Sequence, residues 1–451
     1  MNTTPPSVTP PAVPPPRAGA VKIYVETIAR VEGEGALHVK LKGGHIQDLR
    51  LEIPEPPRLF ESFLRGRRAE EAVDITARIC GICPFAYQMS AAHAIERAWG
   101  ISIDPQVRLL RRLFYCGEWI ESHALHIYFL HAPDFLGFQD AFEMAAKFRP
   151  EVERALRLKK LGNTIMRVLG GREIHPVSAR VGGFYRVPAK RDLQPLVDEL
   201  KWALEASCET ARLVKTLPFP DFQQDYEFVS LSHPDEYPLN EGRVVSSLGL
   251  DIDTAEFEDN FLEQHVRHSN ALHSVLRERG SYHVGPLARF NLNCEKLPPV
   301  ARETARECGL EPPVRNPFRS IIVRAVELVF ACEESLRLIA EYEPPAQPCA
   351  KYERRAGTGM AVTEAPRGLL YHRYTIDETG LILASKIVPP TAQNLKRIED
   401  DLWRYLPQII SERWDAPVEE ITWRAEQAIR NYDPCISCAT HFLKVRVTHE
   451  E

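Results

Sequence analysis

No apolar run in the 451 residues approaches the roughly 20 needed to cross a bilayer, so no membrane span is expected. The N-terminus lacks the charged-then-apolar pattern of a secretory signal. Positive charge is not in excess. The net charge is −6, which leaves no electrostatic footprint for nucleic acid. There is no internal repeat, no G-x-G-x-x-G after a predicted strand, and no closely spaced cysteine run of the iron–sulfur type. Ten cysteines are too few for a disulfide scaffold in a chain this long. A cytoplasmic, metal-binding protein is the expectation left by these absences.

What is present is ordinary globular material, 44% hydrophobic and 26% charged. Length alone suggests two or three domains, although single large units occur. Residues 1–20 form a proline-rich arm of low complexity, expected to be disordered. Residues 21–27, 36–42 and 46–53 have strand composition, with Gly43-Gly44 as a hairpin turn. From Pro84 to Gly100 the apolar positions recur at helical spacing, with proline at the start and glycine at the stop. Longer helical patterns cover about 105–131, 193–216 and 318–342; shorter ones cover 391–406 and 418–430. Residues 369–376 and 381–388 flank a turn and read as a hairpin, while 218–317 has no clear pattern. The fold class is α+β and predominantly helical, a bundle of long helices with small sheets at its periphery.

Two C-x-x-C pairs stand near opposite ends: Cys80 and Cys83 in RICGICP (78–84), and Cys435 and Cys438 in DPCISCATH (433–441). Thiolates are soft ligands that suit zinc, copper(I), nickel and iron. Cys83 precedes a helix N-terminus, which favours its thiolate. Asp433 is placed to cap a second helix opened by Pro434, which would put Cys435, Cys438 and His441 on one face. A structural zinc site is the plain alternative, but zinc ribbons space their pairs about 15–20 residues apart, far closer than these.

The two cysteine motifs resemble the N- and C-terminal signatures of the large, catalytic subunit of NiFe-hydrogenases. RVEG (30–33), RLFESFLRGR (58–67), GREIHP (171–176) followed by Gly182-Gly183, and EAPRGLLYH (364–372) agree in order. The resemblance spans 21–441. With PPTAQN (389–394) it is most like the soluble, bidirectional, NAD(P)-linked group, including sulfhydrogenases. A complex-I-like quinone-site subunit shares this fold but lacks the four cysteines.

The resemblance implies a large-subunit fold and a nickel–iron centre whose iron carries carbon monoxide and cyanide. Cys80 and Cys435 would be terminal ligands of nickel, and Cys83 and Cys438 would bridge to iron. Glu32 would take the proton when dihydrogen is cleaved heterolytically, a task that suits a positioned carboxylate. Arg367 would lie over the cyanide ligands, paired with Asp433, with Pro366 and Thr363 lining that pocket. Glu61 and His441 would bind a separate magnesium or iron ion. His123, His126, His131, His175 and His372 are expected to be satisfied core histidines.

Three positions depart from the family pattern. Tyr87 replaces a common histidine and is expected to hydrogen-bond near Cys83; Glu34 also replaces a histidine, and Ser122 an aspartate. The implied partners are an iron–sulfur small subunit, flavin- and NAD(P)-binding diaphorase subunits, and a maturation protease that removes residues 442–451 after His441. The region 60–80 and the second cysteine motif are the expected contact surface.

Overall fold

Helix Pro84–Trp99 is the element on which the molecule turns, because it joins the first cysteine pair to the C-terminal sheet. The structure, a computed structural model, describes residues 20–42, 45–412 and 417–440. The proline-rich arm, the Gly43-Gly44 turn, His441 and the 442–451 tail lie outside the described residues. The helix opens with Pro84 after Cys83 and stops at Gly100 in the left-handed region, as its sequence predicts. Almost every side chain along it is buried.

Long helices form the centre. Pro105–Leu125 packs on Arg149–Gly170 and on Ser320–Glu341, and Ser320–Glu341 packs on Lys190–Val214. The predicted 105–131 helix is α-helical only to Leu125 and continues as a π-helix over His126–His131. Arg149–Gly170 is a helix of 22 residues without a counterpart among the predicted ones.

Of the three antiparallel three-stranded sheets among the described residues, two flank the helices. One is Ala20–Val25, Ala36–Lys42 and His45–Glu52, in which Val39 faces both Ile23 and Leu49. The other is Gly357–Ala365, Gly368–Ile376 and Ile382–Val388. Its first strand lies against helix Pro84–Trp99 so closely that a Cβ on Gly359 would sit 1.9 Å from the Ala94 carbonyl oxygen. The patternless stretch 218–317 is built from short pieces, among them hairpin Phe261–Gln264/His273–Leu276 and helices Pro286–Asn293 and Pro299–Glu307. The predicted fold class therefore holds: predominantly helical, with small peripheral sheets.

Candidate metal centre

The two cysteine pairs, more than 350 residues apart in sequence, meet in the interior. Cys80 Sγ lies 3.8 Å from Cys435 Sγ and 2.8 Å from Cys83 Sγ. The Cys435 and Cys438 sulfurs are joined as a disulfide, the oxidised form of that pair; both can ligate as thiolates only when reduced. All four residues are buried.

Each pair is held by its own backbone. The N–H groups of Ile82 and Cys83 point at Cys80 Sγ, at 3.4 and 3.1 Å. The turn therefore favours negative charge on Cys80 rather than on Cys83, the reverse of the helix-dipole expectation. Burial pushes the Cys80 thiol up, but the Cys83 contact and the Arg367 charge bring it below the ordinary thiol value. Cys83 is pushed well above that value, by Cys80 first and by burial second. Beside the pair, Glu118 reaches across from helix Pro105–Leu125 and accepts from the N–H groups of Phe85 (2.6 Å) and Ala86 (3.2 Å), capping the cysteine helix.

The second pair is not on the predicted helix. Cys435 forms a parallel bridge with Glu32, and a single 3-10 turn runs over Ser437–Thr440. Asp433 adopts a left-handed backbone (φ 49°) and caps nothing; it is engaged by Arg367 instead. The Arg367 Nε donates to the Asp433 carbonyl at 2.8 Å and Nη2 to its carboxylate at 3.1 Å. Arg367 and Pro366 form the tight turn between strands Gly357–Ala365 and Gly368–Ile376. Buried Arg289 clamps this turn by donating to the Ala365 and Pro366 carbonyls and to Glu364, each at 2.9 Å.

Glu32 stands against the second pair. Its Oε2 lies 3.0 Å from Cys435 Sγ and accepts from the Ser437 N–H at 3.1 Å. The turn carrying Glu32 is fixed by Arg30, which donates to Asp134 and to the Leu130 carbonyl. Gly33 (φ 83°) is required there, since a Cβ would sit 2.9 Å from the Ser437 nitrogen.

Other predicted positions fall as follows. Thr363 is buried and bonds Ser90 of the cysteine helix at 2.8 Å. Tyr87 is buried against the His372 ring, but its hydroxyl has no hydrogen-bond partner among the described residues; the expected bond near Cys83 is not made. Glu61 is far from a solvated surface charge. Burial pushes its carboxyl up to about 7, and the Ile387 N–H donates to it at 2.9 Å. Of the core histidines, His123 pairs with Glu327, His126 with the Arg430 carbonyl, His175 with the Ala77 carbonyl and His372 with Tyr374. His131 departs from the expectation, with neither ring nitrogen hydrogen-bonded among the described residues.

Two residues that sequence reasoning left unassigned hold the halves together. Arg58 Nη2 donates to the Ile79 carbonyl (2.7 Å), just before Cys80, and to the Ser437 carbonyl, between Cys435 and Cys438. Thr391 Oγ1 accepts from the Cys435 N–H at 2.9 Å. Their only sequence signal is membership of the 58–67 and 389–394 motifs.

The donor set suits nickel and iron: four sulfurs at one point, with a guanidinium beside them. Arg367 Nη1 is buried without a hydrogen-bond partner among the described residues, a free donor for an accepting ligand at the centre.

A family model described as nickel-dependent hydrogenase matches residues 58–153 and 283–441. Sulfhydrogenase 1 subunit alpha of Pyrococcus furiosus is 32% identical over 427 residues, covering 94% of this chain and 98% of the relative. The NAD-reducing hydrogenase HoxS subunit beta of Cupriavidus necator is 26% identical over 472 residues, covering 94% and 95%. A crystal structure of an NAD+-reducing [NiFe]-hydrogenase in the H2-reduced state superposes with a TM-score of 0.86 at 26% identity, covering 93% of this chain and 99% of that one.

Proposed function

The chain belongs to the nickel-dependent hydrogenase family as a large subunit, an oxidoreductase acting on hydrogen, and from that premise we propose how its residues divide the work. Cys80, Cys83, Cys435 and Cys438, in their reduced form, would hold a nickel–iron centre. When bound, the centre supplies heterolytic cleavage of dihydrogen, with carbon monoxide and cyanide on its iron. Glu32 accepts the proton from Cys435, and the 3.0 Å contact between Sγ and Oε2 is the observation that carries this reading. The Ser437 N–H, bonded to the same oxygen, keeps the carboxylate aimed at the sulfur.

Arg367, fixed by Asp433, places a permanent charge and a free N–H beside the sulfurs, and its turn with Pro366 walls the site. Thr363 steadies that wall through Ser90, and Tyr87 is buried against the His372 ring. Glu61 and His441 would bind a magnesium or iron ion apart from the sulfurs; the half-buried Glu61 carboxyl, whose Oε1 accepts from the Ile387 N–H at 2.9 Å, supports this.

Electrons leave through an iron–sulfur small subunit and pass to NAD(P) through flavin-bearing subunits. The likeness to NAD-reducing relatives supports that acceptor. A maturation protease cuts after His441. Glu32→Gln should lower hydrogen–deuterium exchange about 10²–10⁴-fold with nickel and iron content unchanged. Exchange at the wild-type rate would remove Glu32 from the proton path.

A further inference from the structure

Apart from the sulfur cluster, the described residues bring metal-ligating groups together at one other place: His268, His273 and Glu399. Two come from one hairpin and the third from a distant helix. His268 lies in the loop of hairpin Phe261–Gln264/His273–Leu276, His273 opens the second strand, and Glu399 is in the middle of helix Pro390–Glu412. The three donor atoms lie within 4.8 Å of one another. His268 Nε2 is 2.8 Å from Glu399 Oε1, and His273 Nδ1 is 3.9 Å from Glu399 Oε2. These distances bracket the edge of about 3.3 Å expected of a tetrahedron with metal–ligand bonds of ~2.0–2.1 Å.

His273 points to an ion. It is 1% exposed, and neither ring nitrogen has a hydrogen-bond partner among the described residues. A buried imidazole without a partner is costly as it stands, and a cation between it, His268 and Glu399 would satisfy it. The surroundings are already fixed. The Leu51 N–H donates to Glu399 Oε1 at 3.1 Å. The His268 loop is pinned to the segment just after strand His45–Glu52 by Asn270, whose N–H donates to the Ile53 carbonyl at 2.9 Å and whose side chain donates to the Pro54 carbonyl at 3.1 Å. The nearby cation, Lys396, is neutralised by Asp400 at 2.8 Å. A pocket of about 360 Å³, lined by Leu49, Lys396, Glu399, Asp400 and Trp403, opens on Glu399 and leaves room for water as a fourth ligand.

We propose that His268, His273 and Glu399 form a second metal site, for a divalent first-row transition ion of zinc's chemistry, clasping the N-terminal sheet, the 261–276 hairpin and helix Pro390–Glu412. Two imidazoles and a carboxylate are donors for such an ion and differ from the sulfur set of the hydrogenase centre. The site does not depend on the roles assigned to the cysteines.

The test uses the purified full-length protein, treated with a mild chelator and titrated with zinc alone. Bound zinc is counted after gel filtration, and its neighbours are read by X-ray absorption at the zinc edge. One zinc per chain in a nitrogen–oxygen shell is expected, bound at least tenfold more weakly by His268→Ala and by His273→Ala and retained by Cys435→Ser. If buried His273→Ala fails to fold, His268→Ala carries the test, since its side chain is 19% exposed. Wild-type zinc binding in the histidine variant, or a shell of sulfur only, would overturn the proposal.

Discussion

At the scale of single residues, the centre depends on a few groups whose neighbours leave them little freedom. Arg367 is the clearest. Asp433 engages Nε and Nη2, so Nη1 alone is left for the centre. Lysine keeps the charge but has no planar fork with which to hold Asp433 and the site at once. Arg367→Lys should therefore lower hydrogen turnover about 10²–10³-fold with nickel content maintained. Turnover assayed beside elemental analysis checks this, and unchanged turnover would count against a role for the guanidinium. Residue identity was largely legible in the sequence here, because cysteines, Glu32 and Arg367 sit inside motifs. Arg58 and Thr391 were not legible in that way. Their work is to bind backbone groups of the cysteine motifs, and a backbone partner 21, 44 or 379 residues away leaves no trace in local sequence.

At the scale of elements, the contact between helix Pro84–Trp99 and strand Gly357–Ala365 sets the distance between the first cysteine pair and the Arg367 turn. Gly359 makes that contact possible: its Cβ would overlap the Ala94 carbonyl and approach the Ala98 nitrogen to 2.6 Å, both rigid backbone. Gly359→Ala should destabilise the protein by about 1–3 kcal/mol and lower nickel retention, as the sheet is pushed off the helix. Thermal unfolding with metal analysis tests this; wild-type stability would show that the two elements can part without consequence. The cysteine helix was legible because its proline start, apolar spacing and glycine stop agree. The helix expected after Pro434 did not form. Cys435 is drawn into a bridge with Glu32, a long-range pairing that outweighs the local capping signal of Asp433. The stretch 218–317 stayed opaque for a similar reason, since its short strands are stabilised by a core shared with the C-terminal sheet rather than by their own periodicity.

At the scale of the whole molecule, buried charge ties the helix bundle to the site. Arg289 joins Glu327 of helix Ser320–Glu341 to Glu364 beside the Arg367 turn. Burial pushes the Glu327 carboxyl up, but Arg289 and His123 more than offset this and hold it at about 2. Because its folded value lies below its ordinary value of 4.5, the stability it contributes is complete above pH 4.5 and is lost as pH falls towards 2. Glu327→Gln should be less stable at pH 6 and lose less stability on acidification across that window; denaturant midpoints measured against pH would show an unchanged slope if the account is wrong. The larger claim is that four cysteines from the two ends of the chain converge on nickel and iron, and infrared spectroscopy of the purified protein, with nickel and iron content, tests it most directly. One nickel per chain, with bands from carbon monoxide and cyanide on iron that vanish in Cys435→Ser, is the predicted result. Sulfur-bound zinc in place of nickel, with no such bands, would contradict it.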